Sequence, residues 1–443
     1  MYLSADAAQQ HRVRLINELR AGDLMVVPAA VMTQRNNDVQ HRFRQNSDFY
    51  YLTAFGEPGA LAVISKDDQG AQFTLFVLPK DPEREVWDGF RCGVEGACER
   101  FGADQAFSVR EIDAKMPELL DGADRVIYPM NQNGFETRMA GWRKTIQAKV
   151  RLGARCPSVF VDLGSILHEL RLIKSDHELE LMEHAGQISV AAHCAAMTAG
   201  KPGSSEHELE GLIEGEFRRA GATRFAYPSI VAAGANGCVL HYHENDTTIA
   251  DHDTLLIDAG CEYAGYASDI TVTWPASGRF TDPQRRVYEA VLRVHQNVVN
   301  AVRPGATFKQ LNEMACRGLL EEMKGLGLVD ADKSIDELME AHAYKPYYMH
   351  SIGHWIGMDV HDVGSYGKDR SRAFEPGMVL TIEPGIYISP DAEDAPAELR
   401  GLAVRIEDDI AVTQGAPRNL THGLPRTVDE IHRFMDETRA AKN

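Results

Sequence analysis

His350-Ser351-Ile352-Gly353-His354-Trp355-Ile356-Gly357-Met358-Asp359-Val360-His361-Asp362 carries three histidines within twelve residues, parted by two glycines and flanked by apolar side chains. Each glycine would cost a regular helix about 1 kcal/mol against alanine. Turns or short strands, where the backbone comes close to a ligand, suit them better. Imidazole is a common metal ligand and the usual proton carrier near neutral pH, so one stretch can supply both roles. Any one of these histidines alone reads as a satisfied side chain in a turn. The carboxylates on either side change that reading.

Thr254-Leu255-Leu256-Ile257-Asp258-Ala259-Gly260 parallels Val379-Leu380-Thr381-Ile382-Glu383-Pro384-Gly385: an apolar strand, an acid, one residue, then glycine. Each copy is followed by a second acidic strand, Ser268 to Val272 and Val404 to Ile410. The duplication predicts two pseudo-equivalent halves facing each other. Carboxylates inside apolar β-rich runs are costly unless paired or bound to a metal. Four of them, Asp258, Asp269, Glu383 and Glu407, matched in two halves and joined by His354, point to two divalent cations in one site. Alternate residues of a strand share a face, which places Arg405 beside Glu407 and turns Asp408 away. Arg405 then orients a ligand carboxylate. His241-x-His243 could set two imidazoles on one strand face, and a proton-transfer or substrate role suits His241. No G-x-S-x-G elbow, Walker loop, H-E-x-x-H or dinucleotide fingerprint competes.

Outward from this core, 443 residues predict two domains. The balance of 46 basic and 65 acidic residues, −19 in all, excludes the basic footprint of a nucleic-acid or anionic-membrane binder. Seven scattered cysteines without a C-x-x-C pair, and a polar start without a secretory signal, predict reduced thiols and a cytoplasmic protein. Residues 1–172 read as an α/β domain. Its elements are a helix over 4–20, a buried strand Asp23 to Val31, a polar loop Thr33 to Gln45, and β-rich runs at Phe49-Tyr50-Tyr51-Leu52, 61–64, 73–78 and 125–128. Helices near 111–121 and 134–150 complete it. Ser175 with Glu178 forms a capping box that opens the second domain, 173–443. That domain is α+β: helices over 175–198, 206–220, 282–302 and 307–326, β-rich regions over 225–275 and 349–413, and an exposed closing helix, Asp429 to Ala441.

The series LIDAG, SDIT, HSIGHWIGMDVHDVG, TIEPG and RIEDD resembles that of the pita-bread metallopeptidases, within them the bacterial Xaa-Pro aminopeptidases (aminopeptidase P) above all, with prolidase as near kin. The likeness runs through nearly the whole chain, including Arg44-Gln45-Asn46-Ser47-Asp48-Phe49. It implies a pita-bread, creatinase/aminopeptidase-like catalytic domain with pseudo-twofold halves behind the α/β domain. It implies Asp258, Asp269, His354, Glu383 and Glu407 as ligands of two metals, usually manganese, with Asp269 and Glu407 bridging.

The activity implied is release of an N-terminal residue that precedes proline. Two ions about 3.5–4 Å apart bring a bridging water's pKa towards 7 and hold the carbonyl. Glu383 is then suited to take the proton, and His361 and His241 to stabilise the tetrahedral intermediate and move protons. His350 lines the proline pocket. The resemblance further implies Tyr227 and Asp38 near the free amino end, Arg370 near the rest of the peptide, and Trp87 reaching a neighbouring subunit's site. The first domain would then shape substrate entry and the contacts of a homo-oligomer, a dimer or tetramer. Three other readings stand beside it: a prolidase confined to dipeptides, a phosphoester hydrolase using the same metals, and a metal-free pita-bread binding module. Retention of the full ligand set argues against the last, and against creatinase-like chemistry.

Overall fold

The computed structural model describes residues 3–130 and 134–440. The chain divides into two compact units, Tyr2–Arg171 and Leu172–Asn443. The first is built on a six-stranded sheet in the order Gln105–Ser108, Gly70–Val77, Leu61–Asp67, Asp23–Pro28, Arg125–Tyr128, Val159–Asp162. Asp23–Pro28 pairs antiparallel with Leu61–Asp67 and parallel with Arg125–Tyr128, so the sheet is mixed. Strand side chains alternate between faces. Leu24 and Val26, Leu61 and Val63, and Val126 and Tyr128 therefore share one face. They pack there with Ile112, Met116 and Leu120 of one helix and Phe135, Met139, Trp142 and Ile146 of another.

Phe49-Tyr50-Tyr51-Leu52 is not a strand. It lies in a helix, Ser47–Thr53, begun by Asn46, whose side chain accepts from the Phe49 N–H at 3.0 Å. The cap and burial of all four residues override their β propensity. The polar loop after the first strand contains a two-stranded hairpin, Gln34–Asn36 with Val39–Gln40.

The second unit opens with the helix Asp176–Ala199, begun by the Ser175–Glu178 capping box. The helices Glu206–Arg219, Asp282–Ala301 and Phe308–Leu326 follow the expected spans closely. The duplicated acidic motif is visible in the strands. Thr254–Asp258 pairs antiparallel with Thr271–Pro275, and Val379–Ile382 pairs antiparallel with Asp408–Ala411. In each copy a small antiparallel hairpin interrupts the pair: Cys261–Tyr263 with Tyr266–Ala267, and Gly385–Tyr387 with Ala403–Arg405. Asp258 and Asp269 flank one interruption, and Glu383 and Glu407 flank the other. The copies are stitched together where the Glu407 N–H donates to the Thr271 carbonyl (3.0 Å) and Thr273 Oγ1 donates to the Arg405 carbonyl (3.1 Å). All four acids thus face one junction.

The closing helix, Val428–Ala440, is amphipathic rather than wholly exposed: Val428, Ile431 and Met435 are buried. Ala441 lies outside the described residues.

Candidate metal centre and active site

Ligand atoms of Asp269, His354 and Glu407 lie within 4.8 Å of one another. His354 Nδ1 is 3.0 Å from the Trp355 carbonyl oxygen. That oxygen can only accept, so Nδ1 carries the hydrogen and Nε2 presents a lone pair. Nε2 faces Asp269 Oδ2 at 3.6 Å and Glu383 Oε1 at 3.7 Å. A lone pair turned towards carboxylate oxygens suits a cation between them.

The electrostatics make the same demand. Burial raises the carboxyl pKa values of Asp269, Glu383 and Glu407, and the charge of neighbouring acids raises them further. Against these buried acids stands one buried guanidinium, Arg405, which donates from Nη2 to Asp258 Oδ2 at 2.7 Å and from Nε to Thr271 Oγ1 at 3.0 Å. Thr271 donates in turn to Glu407 Oε2 at 2.6 Å, and the Tyr227 hydroxyl donates to Asp258 Oδ1 at 2.6 Å. Oxygen donors with one imidazole suit hard divalent ions such as manganese. Asp258, Asp269, His354, Glu383 and Glu407 therefore fit the metals expected of them. Thr381 Oγ1 donates likewise to Glu383 Oε1 at 3.3 Å, so Asp258, Glu383 and Glu407 are each steered by a side-chain donor.

Around this centre, His350 Nδ1–H donates to the Ser351 carbonyl (2.9 Å), so Nε2 accepts from the Tyr387 hydroxyl (2.8 Å). Arg405 Nη1 donates to that same hydroxyl at 3.1 Å. Burial holds the His350 pKa below its ordinary value. The His361 ring lies 4.3 Å from that of His354, edge to face, and its pKa is lowered by burial and by the two nearby histidines, His354 and His241. His241 and His243 are exposed, their rings nearly parallel and 6.4 Å apart. They sit in irregular chain rather than on a strand, because the strand ends at Ala233.

Arg370 is wedged between the Phe308 and Tyr366 rings, 4.6 and 4.7 Å from their centroids. It donates to Ser351 Oγ, and to the Gly353 carbonyl at 2.6 Å, so it grips the backbone of the histidine stretch. Two successive left-handed residues, Asp369 (φ 54°) and Arg370 (φ 58°), aim it there. Asp408 turns away from the centre to Arg426 Nη2 (2.6 Å) and Thr421 Oγ1 (2.7 Å). Asp38 and Trp87 belong to the first unit, where both are exposed, Trp87 by 84 % and beside exposed Val86 and Phe90.

Several supporting residues escaped the reading of the sequence. Asp409 Oδ2 accepts the Asp269 N–H at 3.0 Å, and the parity that joined Arg405 to Glu407 also pointed to it. Thr271, two residues beyond Asp269, carried the same signal. Tyr387, His193 (Nε2 to the Ala259 carbonyl, 2.9 Å) and Ser189 (Oγ to Ser268 Oγ, 2.6 Å) carried none, because folding brings them in from distant segments.

The profile of metallopeptidase family M24 matches residues 180–414, and that of the aminopeptidase P N-terminal domain matches residues 8–128. The Xaa-Pro aminopeptidase of Escherichia coli (strain K12) is 40% identical over 442 residues, 99% of each chain. The structure of a Pseudomonas aeruginosa aminopeptidase superposes with a TM-score of 0.96 at 44% identity over 99% of both chains. That of aminopeptidase P from E. coli with the inhibitor Pro-Leu gives 0.96 at 39% identity, covering 99% of this chain and 100% of that one. With the matched profile spanning more than half of it and these relatives covering its whole length, the chain belongs to metallopeptidase family M24.

Proposed function

We propose that this protein is an Xaa-Pro aminopeptidase, releasing the first residue of peptides whose second residue is proline. The observation that carries the reading is the convergence of His354 Nε2 with the Asp269, Glu383 and Glu407 carboxylates at the junction of the two half-motifs. Whole-length similarity to enzymes of that name supports the substrate class.

In this reading Asp258, Asp269, His354, Glu383 and Glu407 would hold two divalent ions, manganese by resemblance. Bound there, the ions would activate water and polarise the scissile carbonyl. The remaining work falls to the chain itself. Glu383, whose carboxyl burial holds above its ordinary pKa, takes the proton of the attacking water. Glu383 then gives that proton up to the leaving proline nitrogen, with His361 and His241 stabilising the tetrahedral intermediate and relaying the proton. His350, kept neutral by burial and fixed by Tyr387 and Ser351, lines the pocket for the proline ring. An Xaa-Pro bond is a tertiary amide without an N–H, so recognition rests on that ring. Tyr227 serves the free amino end as well as Asp258, and Arg370 holds the histidine stretch in place beside the peptide.

Asp38 and Trp87 extend the site from a neighbouring subunit of a dimer or tetramer. Exposure of Trp87, Val86 and Phe90 together supports a covered surface there. Seven free thiols fit a reducing compartment, the cytoplasm, and no described helix is long and apolar enough to cross a membrane. The test is hydrolysis of an Xaa-Pro tripeptide by chelator-treated protein with and without added manganese. Activity that appears only with the metal, at about two ions per chain, supports the proposal. Full activity of the stripped protein contradicts it.

A further inference from the structure

The loop that carries His241 has no strand or helix of its own beyond one turn of 3-10 helix, Gly234–Cys238. Something else must fix it. Asn245 anchors it at one point, accepting from the Val231 N–H (3.0 Å) and donating to the Ser229 carbonyl (2.9 Å), and the remaining points are held by Glu206, the first residue of the helix Glu206–Arg219, whose side chain is completely buried. Its Oε1 accepts from the Ala233 N–H (2.7 Å) and Asn236 Nδ2 (3.0 Å). Its Oε2 accepts from the Tyr242 hydroxyl (2.8 Å) and the Thr247 N–H (2.9 Å). One carboxylate thus ties the start, middle and end of a fifteen-residue excursion (233–247) to one helix terminus. The four donors are neutral, and the helix N-terminus favours the negative charge.

The geometry at Tyr242 shows what this achieves. Tyr242 is buried and points inward to Glu206, whereas its chain neighbours His241 and His243 are exposed. Their rings are nearly parallel. The aminopeptidase reading gives the outward-facing His241 a part at the metal centre. The inward tyrosine therefore sets the direction of the outward histidine.

We infer that Glu206 is a positioning residue for the reaction, acting through Tyr242 to hold His241 over the active site. The inference rests on the aminopeptidase reading and on a part in it for His241. A glutamine at position 206 keeps the size but replaces one acceptor oxygen by an NH2 group. That group would face N–H or O–H donors, and the loop must shift to separate them. A displacement of about 1 Å at a reacting group can cost on the order of a hundredfold in rate.

The test is a double-mutant cycle on the manganese-loaded full-length protein, reading kcat and KM on an Xaa-Pro tripeptide, bound metal and thermal midpoint. The variants are Glu206→Gln, His241→Ala and the pair combined. Glu206→Gln should lower kcat/KM by about 10- to 100-fold with bound metal unchanged. In the His241→Ala background it should cost no more than about twofold, because the group it positions is gone. Any loss of thermal stability should persist in both backgrounds, which separates positioning from folding. Should Glu206→Gln fail to fold, Tyr242→Phe removes one donor and must show the same non-additivity with a smaller loss. An equal fold-loss with and without His241, or full activity of Glu206→Gln, overturns the inference alone. Full activity of His241→Ala overturns it together with the role of His241. Tripeptide cleavage by none of the proteins, wild type included, is the failure of the aminopeptidase reading itself.

Discussion

Replacing Arg405 by methionine tests the electrostatic design of the centre most sharply. The guanidinium is buried and makes three hydrogen bonds, to Asp258 Oδ2 (2.7 Å), Thr271 Oγ1 (3.0 Å) and the Tyr387 hydroxyl (3.1 Å). Methionine fills a similar length without donors or charge. Asp258 would then stay buried with the Tyr227 hydroxyl as its remaining fixed donor. Breaking a buried ion pair by removing one partner costs about 3–5 kcal/mol. In metal-free protein that corresponds to a fall in thermal midpoint of about 6–20 °C for a unit of this size. Bound cations supply the missing positive charge, so added manganese should recover a larger share of the midpoint in the variant than in the wild type. The lost steering of Asp258 should still weaken metal affinity and kcat/KM by about 10- to 100-fold each. The assay is thermal unfolding in chelator and over a manganese titration, with steady-state rates at each point. A metal-free variant within about 1 kcal/mol of wild type, or one with unaltered metal affinity, would refute the reasoning.

Further expectations follow from individual side chains. His354→Ala should lose bound metal, whereas His361→Ala should keep it and lose turnover; equal metal loss in both would overturn that division of roles. Gly353→Ala should destabilise the protein by at least about 3 kcal/mol or abolish metal binding. A Cβ there would meet the Thr381 carbonyl oxygen at 1.9 Å, so either the histidine stretch or the strand that leads into Glu383 must shift. Metal content and thermal midpoint of that variant check the claim, and a wild-type value for both would deny it. On the acid side, burial pushes the His193 pKa down to about 4, below the ordinary 6.5. The folded state refuses a proton that the unfolded chain takes. The stability His193 contributes is therefore complete above pH 6.5 and is lost as pH falls towards 4, about 3 kcal/mol in all. His193→Gln should flatten the denaturation midpoint against pH in that window, and an unchanged slope would contradict the assignment.

The acids were legible because a carboxylate in or beside an apolar strand is conspicuous, and because the motif occurs twice; Asp258 ends a strand, and Asp269, Glu383 and Glu407 lie at the breaks. Asp408 does turn away, to Arg426, but the single strand expected over Val404 to Ile410 breaks at Ile406 and Glu407 between Ala403–Arg405 and Asp408–Ala411. Capping chemistry marked the helix at Ser175, where the signal is local. Phe49 to Leu52 misled because aromatic residues favour strands in general, while one side chain, Asn46, commits that segment to a helix. His241-x-His243 suggested a strand for a similar reason. Its conformation depends on Glu206, some thirty-five residues earlier, and nothing local records that contact. Arg405 was legible as a carboxylate's partner, but alternation set it beside Glu407, whereas it bonds Asp258 of the other copy and reaches Tyr387 across the second hairpin. Periodicity and caps are written along the chain; the hydrogen bonds that aim the site are made between segments that only folding brings together.

Steady-state hydrolysis of a matched peptide series by the manganese-loaded protein tests the central claim most directly. The series holds the first residue constant and compares Xaa-Pro, Xaa-Pro with one or more following residues, and the same peptides with alanine in place of proline. The account predicts that Xaa-Pro tripeptides and longer peptides are cleaved at least as fast as the dipeptide. The alanine series should lose about 1–3 kcal/mol of discrimination in kcat/KM for want of the ring contact at His350. A strong preference for the dipeptide would make the protein a prolidase, and comparable rates on peptides without proline would contradict the account altogether.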